Sequence, residues 1–231
     1  MENKIDNIKD APAPWTLTGQ VAYLLIHGSR AVQDSFNENP DPVISPFRGG
    51  LGGLMLVRYT DSPVGPYDEL ILVPGCYQFG DKTYYRISQI YVSSLDSVIN
   101  GRRNWNVPKK LATFRWNDDN THVKIFLPDQ TEPFCTIRVQ PRLYCLPIGT
   151  GLVPEIFRTL LQPPLEETED KNAYFKIVPS CSGWFRPIVR LLEFQTDGKE
   201  IPSHEQIPLY TYGVGYEAFT LLFPKAELTL H

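Results

Sequence analysis

Long apolar runs are absent from this sequence of 231 residues. The two longest, Val21–Ile26 and Leu51–Val57, fall far short of the roughly 20 residues that a membrane-spanning helix needs. The first 14 residues are polar, acidic and punctuated by proline, so they do not form the apolar core of a signal peptide. These features predict a cytoplasmic protein that has no membrane partner.

Cysteine and histidine are both scarce, with four residues of each. The cysteines, Cys76, Cys135, Cys145 and Cys181, are widely separated, form no CxxC pair and have no histidine at the spacing of a zinc finger. We therefore interpret them as free, buried thiols, and we predict neither disulfides nor a metal site.

The sequence also has no excess of positive charge. It contains 22 Lys and Arg residues and 26 Asp and Glu residues, so its net charge is −4. A protein with this balance does not bind nucleic acid through its overall charge. The glycine-rich stretch Gly49–Gly53 matches neither the P-loop nor the dinucleotide-binding pattern. We therefore predict no nucleic-acid partner and no cofactor.

Proline, glycine and aromatic residues, by contrast, are plentiful. The 21 prolines, 16 glycines, 12 tyrosines and 12 phenylalanines favour many short strands joined by turns over a helical bundle. We predict a flexible N-terminal arm over residues 1–14 and a single domain over residues 15–231. Its expected class is α+β, built mainly from antiparallel strands, and the exposed edges of such strands make a homo-oligomer possible.

Apolar patterns divide the chain into elements. The spacing predicts a short helix over Asp96–Arg103, which Pro108 prevents from continuing, and a second helix over Gly151–Leu161, which Pro163 ends. Further apolar runs predict strands at Gln20–His27, Glu69–Pro74, Tyr84–Ser93, Thr121–Leu127, Thr136–Val139, Tyr174–Val178, Ile188–Gln195, Tyr210–Tyr212 and Phe219–Leu222.

Positive charge is concentrated in one segment, residues 97–117, which contains no acidic residue. Its cations are Arg102, Arg103, Lys109, Lys110 and Arg115. Two interpretations are open: the segment is a solvated basic turn, or it faces an anionic ligand.

The adjacent lysines, Lys109 and Lys110, suggest a chemical role. An amine is a nucleophile only when it is neutral, and burial or a neighbouring cation favours the neutral form. If the segment is a strand, successive side chains point to opposite faces, so only one of the two lysines enters a pocket. A neutral pocket lysine forms Schiff bases with ketones and aldehydes.

At these residues the sequence resembles the acetoacetate decarboxylase-like family. The segment Gly101–Ala112 is similar to the family's GR…PKK motif, and Gly65–Leu70 is similar to its GPYxE motif. Weaker similarity at Pro14–Leu17, Tyr174–Pro179 and Phe223–Glu227 extends the resemblance over nearly the whole chain. The resemblance implies a cone-like antiparallel β-barrel with a buried pocket and a few flanking helices.

The resemblance also implies roles for individual residues. Lys109 is the expected Schiff-base nucleophile, Lys110 the neighbouring cation that favours its neutral form, and Glu69 the pocket carboxylate. Gln20 stands where decarboxylating members carry a substrate-binding arginine, and Arg58 is a candidate for the missing cation. The predicted substrate-binding residues are Gln20, Arg58, Tyr67, Tyr91 and Arg102.

Three hypotheses for function follow. The first is a lyase that forms a lysine Schiff base with an oxo acid or related carbonyl compound, leading to decarboxylation or to aldol or dehydration chemistry. The second is an isomerase, cyclase or hydrolase that acts on a larger, more apolar biosynthetic intermediate without an imine. The third is a non-catalytic barrel that binds an apolar metabolite. All three require a small-molecule ligand.

Overall fold

The computed structural model describes residues 8–28, 46–141, 144–207 and 209–230. One α-helix, α1 (Leu95–Trp105), lies in this part of the chain, between the sixth and seventh of sixteen strands. The strands are β1 (Trp15–Gly28), β2 (Phe47–Asp61), β3 (Tyr67–Val73), β4 (Cys76–Phe79), β5 (Lys82–Tyr85), β6 (Gln89–Val92), β7 (Lys109–Leu111), β8 (Thr113–Trp116), β9 (His122–Phe126), β10 (Cys135–Pro141), β11 (Leu146–Gly149), β12 (Leu160–Gln162), β13 (Ala173–Ile177), β14 (Ser180–Thr196), β15 (Tyr212–Phe223) and β16 (Glu227–Leu230).

The strands form one sheet in the order β16-β13-β12-β5-β4-β2-β1-β15-β14-β10-β9-β8, from which β3, β6, β7 and β11 branch. Among the sixteen described strands, only the β5–β12 and β6–β7 pairs are parallel. The predicted α+β fold with mainly antiparallel strands is confirmed, although the sheet is not closed within the described residues. Among these residues, no helix has the length and apolarity that a membrane crossing requires.

The predicted helix over Asp96–Arg103 is confirmed as α1. Ser94 caps its beginning, because the Ser94 side chain accepts a hydrogen bond from the Ser97 amide. The helix ends where Asn106 adopts a left-handed conformation with φ of 51° and donates its N–H to the Arg102 carbonyl.

The predicted helix over Gly151–Leu161 is wrong. Two single-turn 3₁₀ helices, Thr150–Leu152 and Glu155–Phe157, precede strand β12 there. Pro154 lacks an amide hydrogen and disfavours helical backbone at the preceding residue, so a continuous α-helix does not form. Ile156 and Phe157 are exposed rather than packed in a core.

Two strand predictions also need correction. The predicted strand Tyr84–Ser93 is two strands, β5 and β6, with residues 86–88 between them outside both. The predicted strand Tyr210–Tyr212 overlaps β15 only at its last residue.

Alternation gives the central strands two different faces. On β3, Tyr67, Glu69 and Ile71 line a cavity, whereas Leu70 and Leu72 pack into a separate core against β9, β10 and β14. Strands β1 and β2 divide their side chains in the same way. One face of these strands therefore contributes to a packed hydrophobic core, and the other face lines the cavity.

The predicted N-terminal arm is described only from residue 8 onwards, and this part lies along α1. Asn100 donates a hydrogen bond to the Lys9 carbonyl at 2.7 Å and accepts one from the Ala11 amide at 2.9 Å. Ala11 is buried, and its carbonyl accepts the indole N–H of Trp15.

Candidate active site

Lys109 points into the interior of the fold, and Lys110 points out of it. Both lie on β7, which pairs with β6 so that Lys109 is opposite Ile90 and Lys110 is opposite Tyr91. The side chain of Lys109 is 7% exposed and that of Lys110 is 47% exposed. Strand alternation therefore places a single lysine in the cavity.

The ammonium group of Lys109 has three acceptors around it. Nζ lies 2.5 Å from Oε1 of Glu69, 2.8 Å from Oγ of Ser97 and 3.5 Å from the hydroxyl of Tyr67. Because an ammonium carries three N–H donors, these contacts can satisfy all of them. Glu69 and Tyr67 also line the cavity, whereas Ser97 does not, so Ser97 holds the amine from behind.

Helix α1 is shaped to admit the lysine side chain. Ser97 and Gly101 lie four residues apart and are therefore on the same face of the helix. A Cβ at Gly101 would lie 2.6 Å from Cδ and 2.7 Å from Cε of Lys109. A larger residue at position 101 would therefore force the end of the lysine side chain to shift.

Lys109 and Glu69 form a buried ion pair, with the Glu69 side chain only 4% exposed. Removal of one partner from such a pair typically costs about 3–5 kcal/mol because it leaves an unpaired charge in the interior. Nζ also lies 5.8 Å from the ring centre of Trp15 and 5.2 Å from that of Tyr67, within the range of cation–π attraction.

Two tyrosines beside the pair remain protonated over a wide pH range. Burial, followed by the negative charge of Glu69, raises the pKa of Tyr59 well above its usual value of 10.0. Burial and then the same carboxylate raise the pKa of Tyr67 as well. Their hydroxyls can therefore act as hydrogen-bond donors in the cavity at neutral pH.

The cavity has a volume of about 540 Å³. Its walls are mostly apolar and aromatic, with contributions from residues such as Trp15, Val21, Met55, Ile90, Trp105 and Phe219. Three of the described lining residues are charged: Glu69, Lys109 and Arg158. A volume of this size is typical of sites for drug-sized ligands rather than for the smallest metabolites.

Of the predicted site residues, Lys109, Glu69 and Tyr67 share this cavity. Lys110 lies on the other face of its strand, 3.7 Å from the carboxylate of Glu200. Tyr91 is on that face too, where its hydroxyl donates to Glu200 at 2.5 Å. Neither Lys110 nor Tyr91 lines the cavity.

Gln20 and Arg58 line a second cavity, of about 350 Å³, instead. Arg58 stacks over the Trp116 ring at 5.3 Å, donates a hydrogen bond to Asn120 and lies 3.8 Å from Asp68. Arg58 therefore does not supply a cation beside Lys109.

Arg102 also lies outside the main cavity. Its guanidinium forms an ion pair with Glu167, with Nε 2.7 Å from Oε1. A second nitrogen, Nη1, donates to the carbonyl of Lys109 at 3.2 Å. This geometry braces the backbone of β7.

Sequence reasoning missed three residues of the site: Ser97, Tyr59 and Arg158. The helical spacing of Ser97 and Gly101 was visible, but nothing in the sequence indicated that this face meets Lys109. Tyr59 lies directly opposite Tyr67 in the β2–β3 pair, and this register was not predicted. Arg158 lies within the segment Gly151–Leu161, which was wrongly predicted to be a helix.

Comparison with known proteins supports the resemblance. The model of the acetoacetate decarboxylase family matches residues 40–208. The crystal structure of acetoacetate decarboxylase from Legionella pneumophila superposes with a TM-score of 0.65 at 13% identity, covering 97% of this chain and 94% of that one. The enduracididine biosynthesis enzyme MppR complexed with pyruvate gives a TM-score of 0.59 at 11% identity, covering 96% and 93%. At these identities the structural matches establish the fold alone.

Curated plant proteins match part of the chain. Protein NEOXANTHIN-DEFICIENT 1 of Oryza sativa subsp. japonica is 30% identical over 101 residues, which are 44% of this chain and 33% of that protein. Its namesake in Arabidopsis thaliana is 27% identical over 107 residues, covering 46% and 38%. The match therefore spans about a third of the length of these relatives.

Proposed function

Because the chain belongs to the acetoacetate decarboxylase family, we propose that it is an enzyme whose Lys109 forms an imine with a ketone or aldehyde. The observation that carries the proposal is the position of Lys109 Nζ, buried on the wall of an apolar cavity and 2.5 Å from a carboxylate oxygen of Glu69. This arrangement combines a candidate nucleophile with a group that can accept and return its proton.

Formation of the imine begins with proton transfer from the ammonium of Lys109 to Glu69. The transfer replaces two buried charges by a neutral amine, which can act as a nucleophile, and a neutral acid. The nitrogen lone pair then attacks the carbonyl carbon, and Glu69 gives its proton to the carbonyl oxygen, to which the Tyr67 hydroxyl can donate a hydrogen bond. Glu69 next takes a second proton from the nitrogen and passes it to this hydroxyl, which leaves as water. The C=N bond forms as the C–O bond breaks, and the nitrogen keeps one proton.

The protonated imine is an electron sink. It accepts the electron pair of a bond that is broken at the neighbouring carbon, either by loss of carbon dioxide or by retro-aldol cleavage. The same imine also permits aldol addition, which is the reverse of that cleavage, and dehydration. After a bond is broken in this way, the enamine that remains takes up a proton at that carbon and becomes an imine again. Hydrolysis of this imine by water then releases the product and regenerates Lys109.

We propose a substrate larger and more apolar than acetoacetate. Among the described residues, neither Gln20 nor Arg58 offers a polar or positive group beside Lys109, since both line the second cavity. The main cavity of about 540 Å³ far exceeds what a four-carbon acid needs.

Borohydride trapping tests the proposal directly. Borohydride delivers hydride to the imine carbon and converts it to a stable secondary amine, so the peptide containing Lys109 should gain the mass of the reduced substrate. The variant Lys110→Ala serves as the matched control and should still be labelled at Lys109. Absence of an adduct with every member of a panel of oxo acids, ketones and aldehydes would overturn the imine proposal.

A second candidate is acid–base catalysis without an imine, as in an isomerase, cyclase or hydrolase. It is supported by the saturated hydrogen bonding of Lys109, which suits a resident ammonium, with Lys109 as the acid and Glu69 as the base. The plant relatives, whose name refers to a lack of neoxanthin, also point to an apolar biosynthetic intermediate. Turnover of such a compound by an enzyme that borohydride never labels would favour this candidate.

The apolar cavity is also compatible with a non-catalytic role, in which the protein binds an apolar metabolite. Tight binding without turnover of any bound compound would favour that alternative over both enzymatic ones.

A further inference from the structure

We infer that Arg158 binds an anionic group of the ligand on a different wall of the cavity from Lys109. The substrate class is then a carbonyl compound with a carboxylate separated from the carbonyl by an apolar stretch. The position of the carbonyl rests on the proposed function, whereas the anion site rests on Arg158 alone.

Among the described residues that line the cavity, Arg158 is the cation with the weaker carboxylate partner. Lys109 and Glu69 neutralise one another across 2.5 Å. Arg158 has Glu155 as its carboxylate partner, but the distance from Nη2 to Oε1 is 3.6 Å and the Glu155 side chain is 73% exposed. Ion pairs of this exposed type contribute little and are easily exchanged for a better partner.

The guanidinium is held in place by the backbone. Nη1 donates to the Pro179 carbonyl at 2.8 Å, and Nε lies 3.4 Å from the Val153 carbonyl. The Arg158 side chain is 20% exposed, so most of it is shielded from water. These contacts use two of its five N–H groups, and the remaining ones are available for a carboxylate.

The strand order separates Arg158 from the reactive lysine. Ser180 is paired with Leu222 on β15, which in turn is paired with Thr16 on β1. The backbone near Pro179 therefore lies two strands, about 10 Å, from the beginning of β1. Beyond β1 come β2 and β3, so Glu69 on β3 lies four strands from the backbone beside Pro179. Lys109 on β7 lies beyond β3 and β6. A ligand that contacts both sites has to span the cavity, which requires several carbon atoms between its carbonyl and its anion.

Calorimetric titration with decanoate and decanol tests the anion site without any covalent step. We expect the protein to bind decanoate more tightly than decanol, and Arg158→Gln to weaken decanoate binding by about tenfold to a hundredfold, with decanol unaffected. The matched control is Arg138→Gln, since Arg138 is an exposed arginine with a 3.6 Å contact to Glu193 and lies outside the cavity.

A second variant changes the affinity in the opposite direction. Glu155→Gln removes the competing carboxylate without touching Arg158, so decanoate should bind more tightly. This variant keeps the inference testable if loss of the Arg158 contacts prevents folding. Equal affinity for decanoate and decanol in the wild type, or decanoate binding unchanged in both Arg158→Gln and Glu155→Gln, would overturn the inference.

Trapping experiments separate this inference from the proposed function. With 10-oxodecanoate and decanal as probes, we expect borohydride labelling of Lys109 to be more efficient with the oxo acid and to lose that preference in Arg158→Gln. Labelling that is equal for both probes would contradict the anion site and leave the imine proposal intact. Decanoate binding that depends on Arg158, without labelling by any carbonyl compound, would support the anion site and refute the imine.

Discussion

Gly101 and Lys109 fit together so closely that a single added methyl group would force the lysine side chain to move. The Cβ of an alanine at position 101 would lie 2.6 Å from Cδ of Lys109. Gly101→Ala should therefore displace the amine from Glu69 and lower the rate of borohydride labelling by about tenfold or more, since misplacement by about 1 Å can cost a hundredfold. Gly151→Ala is the control, because nothing lies within 4 Å of a Cβ there. Unchanged labelling in Gly101→Ala would show that this fit does not position Lys109.

Ser97 should position the amine of Lys109. Its hydroxyl accepts a hydrogen bond from Nζ at 2.8 Å. Ser97→Ala removes this contact, so borohydride labelling of Lys109, followed by mass spectrometry, should fall by about tenfold. Ser94→Ala is the control for helix stability, since Ser94 caps the same helix without contacting the amine. Equal labelling in the two variants would show that Ser97 does not hold Lys109 in place.

The buried tyrosines predict a loss of stability in alkali. Because burial raises the pKa of Tyr67 well above 10.0, the folded state keeps its phenol protonated where the unfolded state has begun to ionise. Stability from this group is fully present below pH 10 and is lost as pH rises toward the pKa of the folded state. The melting temperature should therefore fall less steeply between pH 9.5 and about 11 in Tyr67→Phe than in the wild type. Parallel curves would contradict the assignment.

The Lys109–Glu69 pair should show strong coupling in unfolding experiments. Lys109→Met or Glu69→Gln alone leaves one buried charge unpaired, which we expect to cost about 3–5 kcal/mol in the free energy of unfolding. The double variant leaves no charge, so its loss should be well below the sum of the two single losses. Urea denaturation of the four proteins measures this coupling, and additive losses would mean that the pair is not formed in solution.

Much of the site could be predicted from the sequence, and three of the wrong candidates share one physical cause. Resemblance to a family indicated Lys109 and Glu69, and alternation indicated that only one lysine enters the pocket. The same period of two places Gln20, Arg58 and Tyr91 on the opposite face, because each is the strand neighbour of a residue that lines the cavity. Applied to every strand, alternation would have removed these candidates.

Other features depend on contacts that a sequence does not display. Ser97 meets Lys109 because α1 packs against β7, and Arg158 lines the cavity from a position directly after the second 3₁₀ helix. The second helix failed because its apolar spacing looked helical while one proline prevented the backbone hydrogen bonds. Long-range packing therefore determines the position of Ser97, and a single proline determines the backbone conformation of residues 151–161. Neither followed from the apolar pattern.

Borohydride reduction with carbonyl compounds, followed by peptide mass analysis, tests the central claim most directly. The account predicts a reduced adduct on Lys109 in the wild type and in Lys110→Ala, with none at that position in Lys109→Met. A fully folded wild-type protein that gives no adduct at Lys109 with any oxo acid, ketone or aldehyde would contradict it.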